Sequence, residues 1–287
     1  MKWKPLDRIL FPDFVKFVIA NEWKSVSLSS RIVTREGNFR EIKKINGSIN
    51  CLLSETDTIL GVIMVTPAGL ILPMFGGALN TKSDDFTGRT DALLSGYGKI
   101  TCILGTDTDV KTVRDILSPD IRAEVEYNLL SAPLPSVPPP PPPKGVTVKR
   151  AAEKEAESLF SLEEKYLIDE VLIDSTSVNR KGAMKNLKNN CINQILLYAE
   201  TGGIPVAKAN TNALGINYAQ LGGIFTDYGS RRRGYSEVLV RALMYECAKL
   251  RKKSILFVKK GNLAANRLYL KTGFKKIDNY RIVYINL

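Results

Sequence analysis

The chain has 287 residues, 44% hydrophobic and 24% charged, a globular composition with material for about two domains. It contains no histidine, which excludes Ser-His-Asp and Cys-His nucleophile sets, His-containing zinc sites and His-ligated haem. The net charge is +12 and sits in the last third: residues 1–200 carry 25 basic and 25 acidic side chains, residues 201–287 carry 16 and 4.

The opening MKWKPLDRILFPDFVKF has no sustained apolar run and no small-residue cleavage site, so no signal peptide is expected. Strands are predicted at 48–54, 59–65, 70–75, 99–104 and 122–130, and a helix at 107–118 with Asp107 as its cap. Residues 58–81 carry no charge and are long enough to span a bilayer, but Pro67, Pro73 and four glycines interrupt them. Two β-prone runs around Thr66-Pro67-Ala68-Gly69 read as a buried hairpin, and no membrane partner is expected. The order loosely repeats that of the second half. The first 130 residues therefore read as an α/β domain, either a degenerate copy of the second half or an unrelated one.

Residues 131–144, SAPLPSVPPPPPPK, form a proline-rich linker, because six consecutive prolines favour polyproline II. Beyond it, residues 145–287 give a strand at 145–149, an acidic helix at 151–172 and strands at 194–200, 204–210 and 218–226. A helix at 235–250, a strand at 254–258, a helix at 263–271 and one or two closing strands at 274–286 follow. Meander strands followed by a β-α-β-α-β section imply an α/β fold on a mixed sheet with helices on both faces. Cys51, Cys102, Cys191 and Cys247 have no C-x-x-C spacing. They read as single thiols in a reducing cytoplasm, with no metal site.

Arg231, Arg232 and Arg233 precede Gly234, Tyr235 and Ser236 at the start of the 235–250 helix. Helix N-termini offer unpaired N–H groups and partial positive charge, glycine lets a phosphate approach, and arginines add bidentate donors. Together they describe a pyrophosphate cradle, with a basic loop capping a helix as the alternative. The positive excess has the same two readings, an anion-binding segment or a solvated basic face.

This stretch resembles motif A of the GNAT superfamily of acyl-CoA N-acyltransferases, Gln/Arg-x-x-Gly-x-Gly/Ala. Arg231, Gly234 and Ser236 stand at its three positions, with Ser in place of Gly/Ala. Downstream, Asn262, Ala265 and Tyr269 match Asn-x-x-Ala-x-x-x-Tyr, with Asn266 inside the motif, and Gly273-Phe274 follows. The resemblance covers residues 145–287. It implies that backbone groups of Ile224, Phe225 and Thr226 receive the pantetheine arm of acetyl-CoA and that 231–236 hold its pyrophosphate. It also implies that Asn262 bonds near the thioester and that Tyr269, its pKa lowered by a basic site, protonates the departing thiolate.

Some GNAT members place a glutamate base where this chain has Gln220. The carboxylates that remain as base candidates are Glu163, Glu164, Asp169, Glu170, Glu200 and Asp227. Residues 151–200 carry nine acidic and six basic side chains, which would suit a cationic amine acceptor, small molecule or peptide or protein. At the corresponding place in the first half, 80–85 holds two aspartates, so no CoA site is expected there. The function implied is an acetyl-CoA-dependent N-acetyltransferase. The alternative is a non-catalytic GNAT-like module that binds acyl-CoA or nucleic acid, although no nucleic-acid motif is recognisable.

Overall fold

The computed structural model describes residues 1–34, 36–77, 83–172 and 178–286. In chain order the first half forms β1 (Lys2–Pro5), α1 (Phe11–Asn21), α2 (Val26–Ile32), β2 (Ser48–Leu53), β3 (Ile59–Val65) and β4 (Leu70–Phe75). It continues with α3 (Asp84–Ser95), β5 (Cys102–Thr106), α4 (Asp107–Leu117) and β6 (Ile121–Ala132). The second half forms β7 (Val146–Arg150), α5 (Ala156–Tyr166), a π turn at Leu167–Val171, α6 (Arg180–Asn193), β8 (Leu196–Thr201) and β9 (Ile204–Leu214). After these come β10 (Tyr218–Thr226), α7 (Tyr235–Lys249), β11 (Lys253–Lys259), α8 (Leu263–Lys271) and β12 (Lys275–Ile285). No described helix is long and apolar enough to cross a membrane.

The chain divides into two compact units. The first comprises Met1–Leu129, Phe257–Asn262 and Lys276–Leu287; the second comprises Leu130–Leu256 and Leu263–Lys275. This differs from a linear boundary at 145, because β12 pairs antiparallel with β5, Tyr280 opposite Thr106 through Tyr284 opposite Cys102.

In the first unit the sheet order is β1-β2-β3-β4-β5-β12-β6. The uncharged stretch is the expected hairpin: β3 and β4 pair antiparallel, and the Gly69 N–H bonds the Thr66 carbonyl at 2.9 Å. Gly69 has φ +77°, and a Cβ there would lie 2.2 Å from the Lys99 carbonyl oxygen, so only glycine fits the turn. Leu52, Ile63, Ile71, Phe86, Ile103, Val110 and Val283 form a buried core. Asp107 is not the α4 cap. Thr106 takes that position without a side-chain bond, and the Asp107 carboxylate turns instead to Arg281 and Lys111. Of the 80–85 segment, Asn80, Thr81 and Lys82 lie outside the described residues. Ser83 caps α3 by accepting from the Phe86 N–H, and Asp85 pairs with Arg89.

In the second unit β11-β10-β9-β8-β7 form the sheet, with β10 and β11 parallel and the others antiparallel. α7 buries Leu239, Val240, Leu243, Met244 and Cys247, the three- and four-residue spacing of a core-facing stripe. α6, which the sequence reading does not anticipate, buries only Ala183, Leu187 and Cys191 and is otherwise polar. Asn179 starts it by accepting from the Gly182 N–H at 3.0 Å. Burial pushes the thiols of Cys51, Cys102 and Cys247 up to about 12, so these thiols stay protonated.

Candidate active site

The site is built where β10 ends. Tyr218, Ala219 and Gln220 face Lys253, Ser254 and Ile255 of β11, and the pairing between the two strands stops there. On the other side, Gly222 faces Asn210 and Phe225 faces Lys208, so three steps along β10 match two along β9. That extra residue is a β-bulge at Gly223 and Ile224, with Gly223 at φ +58°. β10 therefore leaves β11 and kinks within four residues, and Ile224 and Thr226 lie half-buried beyond the last pair with β11.

The loop that follows leads into an uncapped helix. Arg232 has φ +62° and Gly234 φ +81°, and Gly234 stands at the N-cap of α7 with no side-chain cap bond. The first-turn N–H groups of such a helix have no intrahelical partner. Arg232 and Arg233 are exposed, and no described carboxylate pairs with them. Tyr235 is buried, so it can offer a ligand only its backbone. Ser236 bonds Thr226, hydroxyl to hydroxyl at 2.7 Å, which ties the first turn of α7 to the end of β10. This bond gives a physical reason for serine at a Gly/Ala position.

Other predicted residues are engaged differently. Arg231 stacks over Tyr228 at 4.5 Å, reaches Asp169 at 3.3 Å and donates to the Thr226 carbonyl at 3.3 Å. Its guanidinium is thus held by the π turn and the strand end. Phe225 is buried in the core of α5, α6 and β8, so only its backbone faces outward. Ala265 and Asn266 are half-buried on the first turns of α8; Asn262 belongs to the first unit, where its N–H bonds the Lys259 carbonyl at 3.0 Å.

Tyr269 is 7% exposed and packs edge-on against Phe274 at 5.9 Å. Its pKa is raised, not lowered: burial dominates, with Tyr166 and Glu170 adding to it. The phenol is a protonated donor, which suits an acid better than a base.

The base candidates are nearly all committed. Glu163 is buried against Lys208 at 2.7 Å, Glu200 pairs with Lys149 at 2.5 Å, and Glu164 pairs with Arg180. Asp169 accepts from the Tyr228 hydroxyl at 2.8 Å and from Arg231. The Lys165 hydrogen bond holds the Asp227 carboxyl below its ordinary value. Gln220 is itself buried in the sheet. An open groove of about 840 Å³ runs along α6, lined by Phe160, Met184, Arg180, Lys181, Lys185 and Lys188 among others. The acidic residues of this segment are not on α6, which carries no carboxylate.

Sequence reasoning missed Lys208, Tyr166 and Lys165. The first had a signal, a lone lysine in the otherwise uncharged strand IPVAKANTNAL.

Residues 179–283 match the family model of FR47-like proteins. No curated protein matches the chain in sequence. Among solved structures, a Drosophila protein superposes with TM-score 0.68 at 12% identity, over 99% of this chain and 98% of that one. A tandem GNAT protein from the clavulanic acid biosynthesis pathway does so with TM-score 0.61 at 10% identity, over 98% and 97%. The chain has the GNAT fold. A GNAT-family acetyltransferase from Colwellia psychrerythraea matches all of both chains, with TM-score 0.57 at 12% identity. The likeness to the tandem protein runs through both halves, so the first 130 residues are GNAT-like in fold as well.

Proposed function

We propose that the chain is an N-acetyltransferase that moves an acetyl group from acetyl-CoA to a primary amine by direct attack in a ternary complex. One observation carries this reading: a bulged strand end runs within eight residues into an uncapped helix start opened by Gly234 and flanked by free arginines. The backbone of 231–236 would hold a pyrophosphate, with Arg232 and Arg233 donating to its oxygens. The backbone at Ile224 and Thr226 would pair with the pantetheine arm as an added strand. For Thr226 this requires Arg231 to release the carbonyl it now contacts. Ala265 and Asn266 would line the thioester end. The neutral amine nitrogen bonds the thioester carbon, the C–S bond breaks, the Tyr269 phenol gives its proton to the sulfur, and the proton shed by the new amide nitrogen returns through water to the Tyr269 oxygen. With its carboxylates paired, the site would take an amine that arrives neutral or loses its proton to water.

Acetyl-CoA should raise the melting temperature, and free CoA should appear when an amine panel is supplied. No stabilisation by acetyl-CoA overturns the reading. Tyr269→Phe should lower turnover tenfold or more with acetyl-CoA affinity unchanged; unchanged turnover removes the acid assignment.

The paired carboxylates and Gln220 favour a second reading, an acyl-CoA-binding module without turnover. One acetyl-CoA bound per chain and no CoA released over the panel would establish it. Nucleic-acid binding would instead weaken steeply with salt.

A further inference from the structure

The second unit buries an ion pair that the proposed chemistry does not use. Lys208, on β9, has no exposed surface, and its ammonium meets the Glu163 carboxylate at 2.7 Å. It also donates to the Gly223 carbonyl at 2.9 Å and lies 4.6 Å from the centre of the Tyr166 ring. Burying two charges costs several kcal/mol per ion, and well-packed apolar residues in their place often do as well or better for stability. A pair kept there calls for an explanation other than stability.

The position of the bond supplies one. Gly223 is the bulged residue, at φ +58°, and has no partner in the ladder to β9. A bulged peptide lacks the ladder bond that would orient it. Lys208 supplies a charged donor in its place. Because a peptide unit is planar and trans, fixing the Gly223 C=O also fixes the Ile224 N–H, which points the opposite way. Asn210 packs on the same residue: a Cβ on Gly223 would fall 1.8 Å from its Oδ1, so the bulge admits only glycine.

We infer that Lys208, held by Glu163, is a positioning residue that aims the Ile224 N–H at the acyl end of the bound thioester. This rests on the acetyl-CoA reading above. Lys208 touches no substrate; it acts through the Gly223–Ile224 peptide.

The test is a comparison of two probes by titration calorimetry on the full chain. Acetyl-CoA reaches the bulge, whereas adenosine 3′,5′-bisphosphate reaches only the phosphate end. The double variant Lys208→Met with Glu163→Leu removes both charges together, so that neither is left buried alone. It should melt no lower than the parent, bind acetyl-CoA at least tenfold more weakly and bind adenosine 3′,5′-bisphosphate unchanged. Glu163→Gln, which keeps a neutral acceptor, should weaken acetyl-CoA about two- to threefold. Parental acetyl-CoA affinity in the double variant overturns the inference, as does equal weakening of both probes, which would mean a merely structural role. If the double variant fails to fold, the inference stands or falls on Glu163→Gln by the same two-probe criterion. A parent that binds no acetyl-CoA removes the functional reading itself, a separate outcome from a parent that binds and variants that match it.

Discussion

Arg232 holds a left-handed backbone that costs a residue with a side chain about 1–2 kcal/mol. Nothing in its immediate contacts repays this, because its side chain is exposed and without a described carboxylate partner. The left-handed turn comes two residues before Gly234, and the side chain stands exposed beside the start of α7. Arg232→Gly should therefore stabilise the fold by about 1 kcal/mol in urea melts, once the greater freedom of unfolded glycine is deducted. It should also weaken adenosine 3′,5′-bisphosphate severalfold. Gain of stability without loss of affinity would mean that Arg232 takes no part in phosphate binding. At this scale the sequence disclosed residue types but not environments. Three consecutive arginines were legible, yet Arg231 is tied to Asp169 and Tyr228 while its neighbours are free. Tyr269 was legible as a position in a motif, but the direction of its pKa depends on burial, which no motif encodes.

Elements bounded by strong punctuation were read to within a residue or two. β3 and β4 are short β-prone runs separated by a Pro-Gly turn, and β10 and α8 end at glycine- or charge-rich loops. α6 escaped because its apolar face is three residues, and α1 because Pro12 in its first turn looks like a breaker, although that is where a helix tolerates proline. β12 was legible as a strand but its partner was not, since pairing over long sequence separation leaves no local mark. The pairing has a consequence for dissection of the chain. A fragment of residues 145–287 retains β12 and loses both its neighbours, β5 and β6, leaving an eleven-residue strand open on both edges. On size exclusion the fragment should elute as aggregate or oligomer where the full chain does not. A soluble, monomeric fragment with parental melting behaviour would show that β12 does not need β5 and β6.

Over the whole molecule, the response to acid is set by carboxylates paired with cations, four of them, Arg241, Lys260, Lys271 and Arg281, from the basic last third. Four carboxylates held by cationic partners share one direction. Glu126 is lowered by Lys260 and Arg281, Asp227 by Lys165, and Glu237 by Lys271 and Arg241. Burial alone would raise Asp107, but Lys111 and Arg281 outweigh it and the net shift is downward. A depressed folded value contributes stability that is complete above the unfolded value of about 4 and is lost as pH falls through the folded one. Asp109 runs the other way: burial raises it in spite of Lys24, so its contribution grows on acidification. Four groups outweigh one, so the melting temperature should hold from pH 7 to 5 and fall below about pH 4. Arg281 is shared by two of the four, Asp107 and Glu126. It is almost fully buried and meets Asp107 at 2.5 Å, Glu126 at 2.6 Å and Glu124. Arg281→Met should cost about 1 kcal/mol at pH 7, because the carboxylates it leaves are partly exposed and keep Lys111, Arg114 and Lys260. Once they are protonated, parental Arg281 is itself a buried cation without counter-charge, so the gap between variant and parent should close near pH 2. A gap that stays constant from pH 7 to pH 2 would mean that Arg281 contributes by packing its side chain and not by charge.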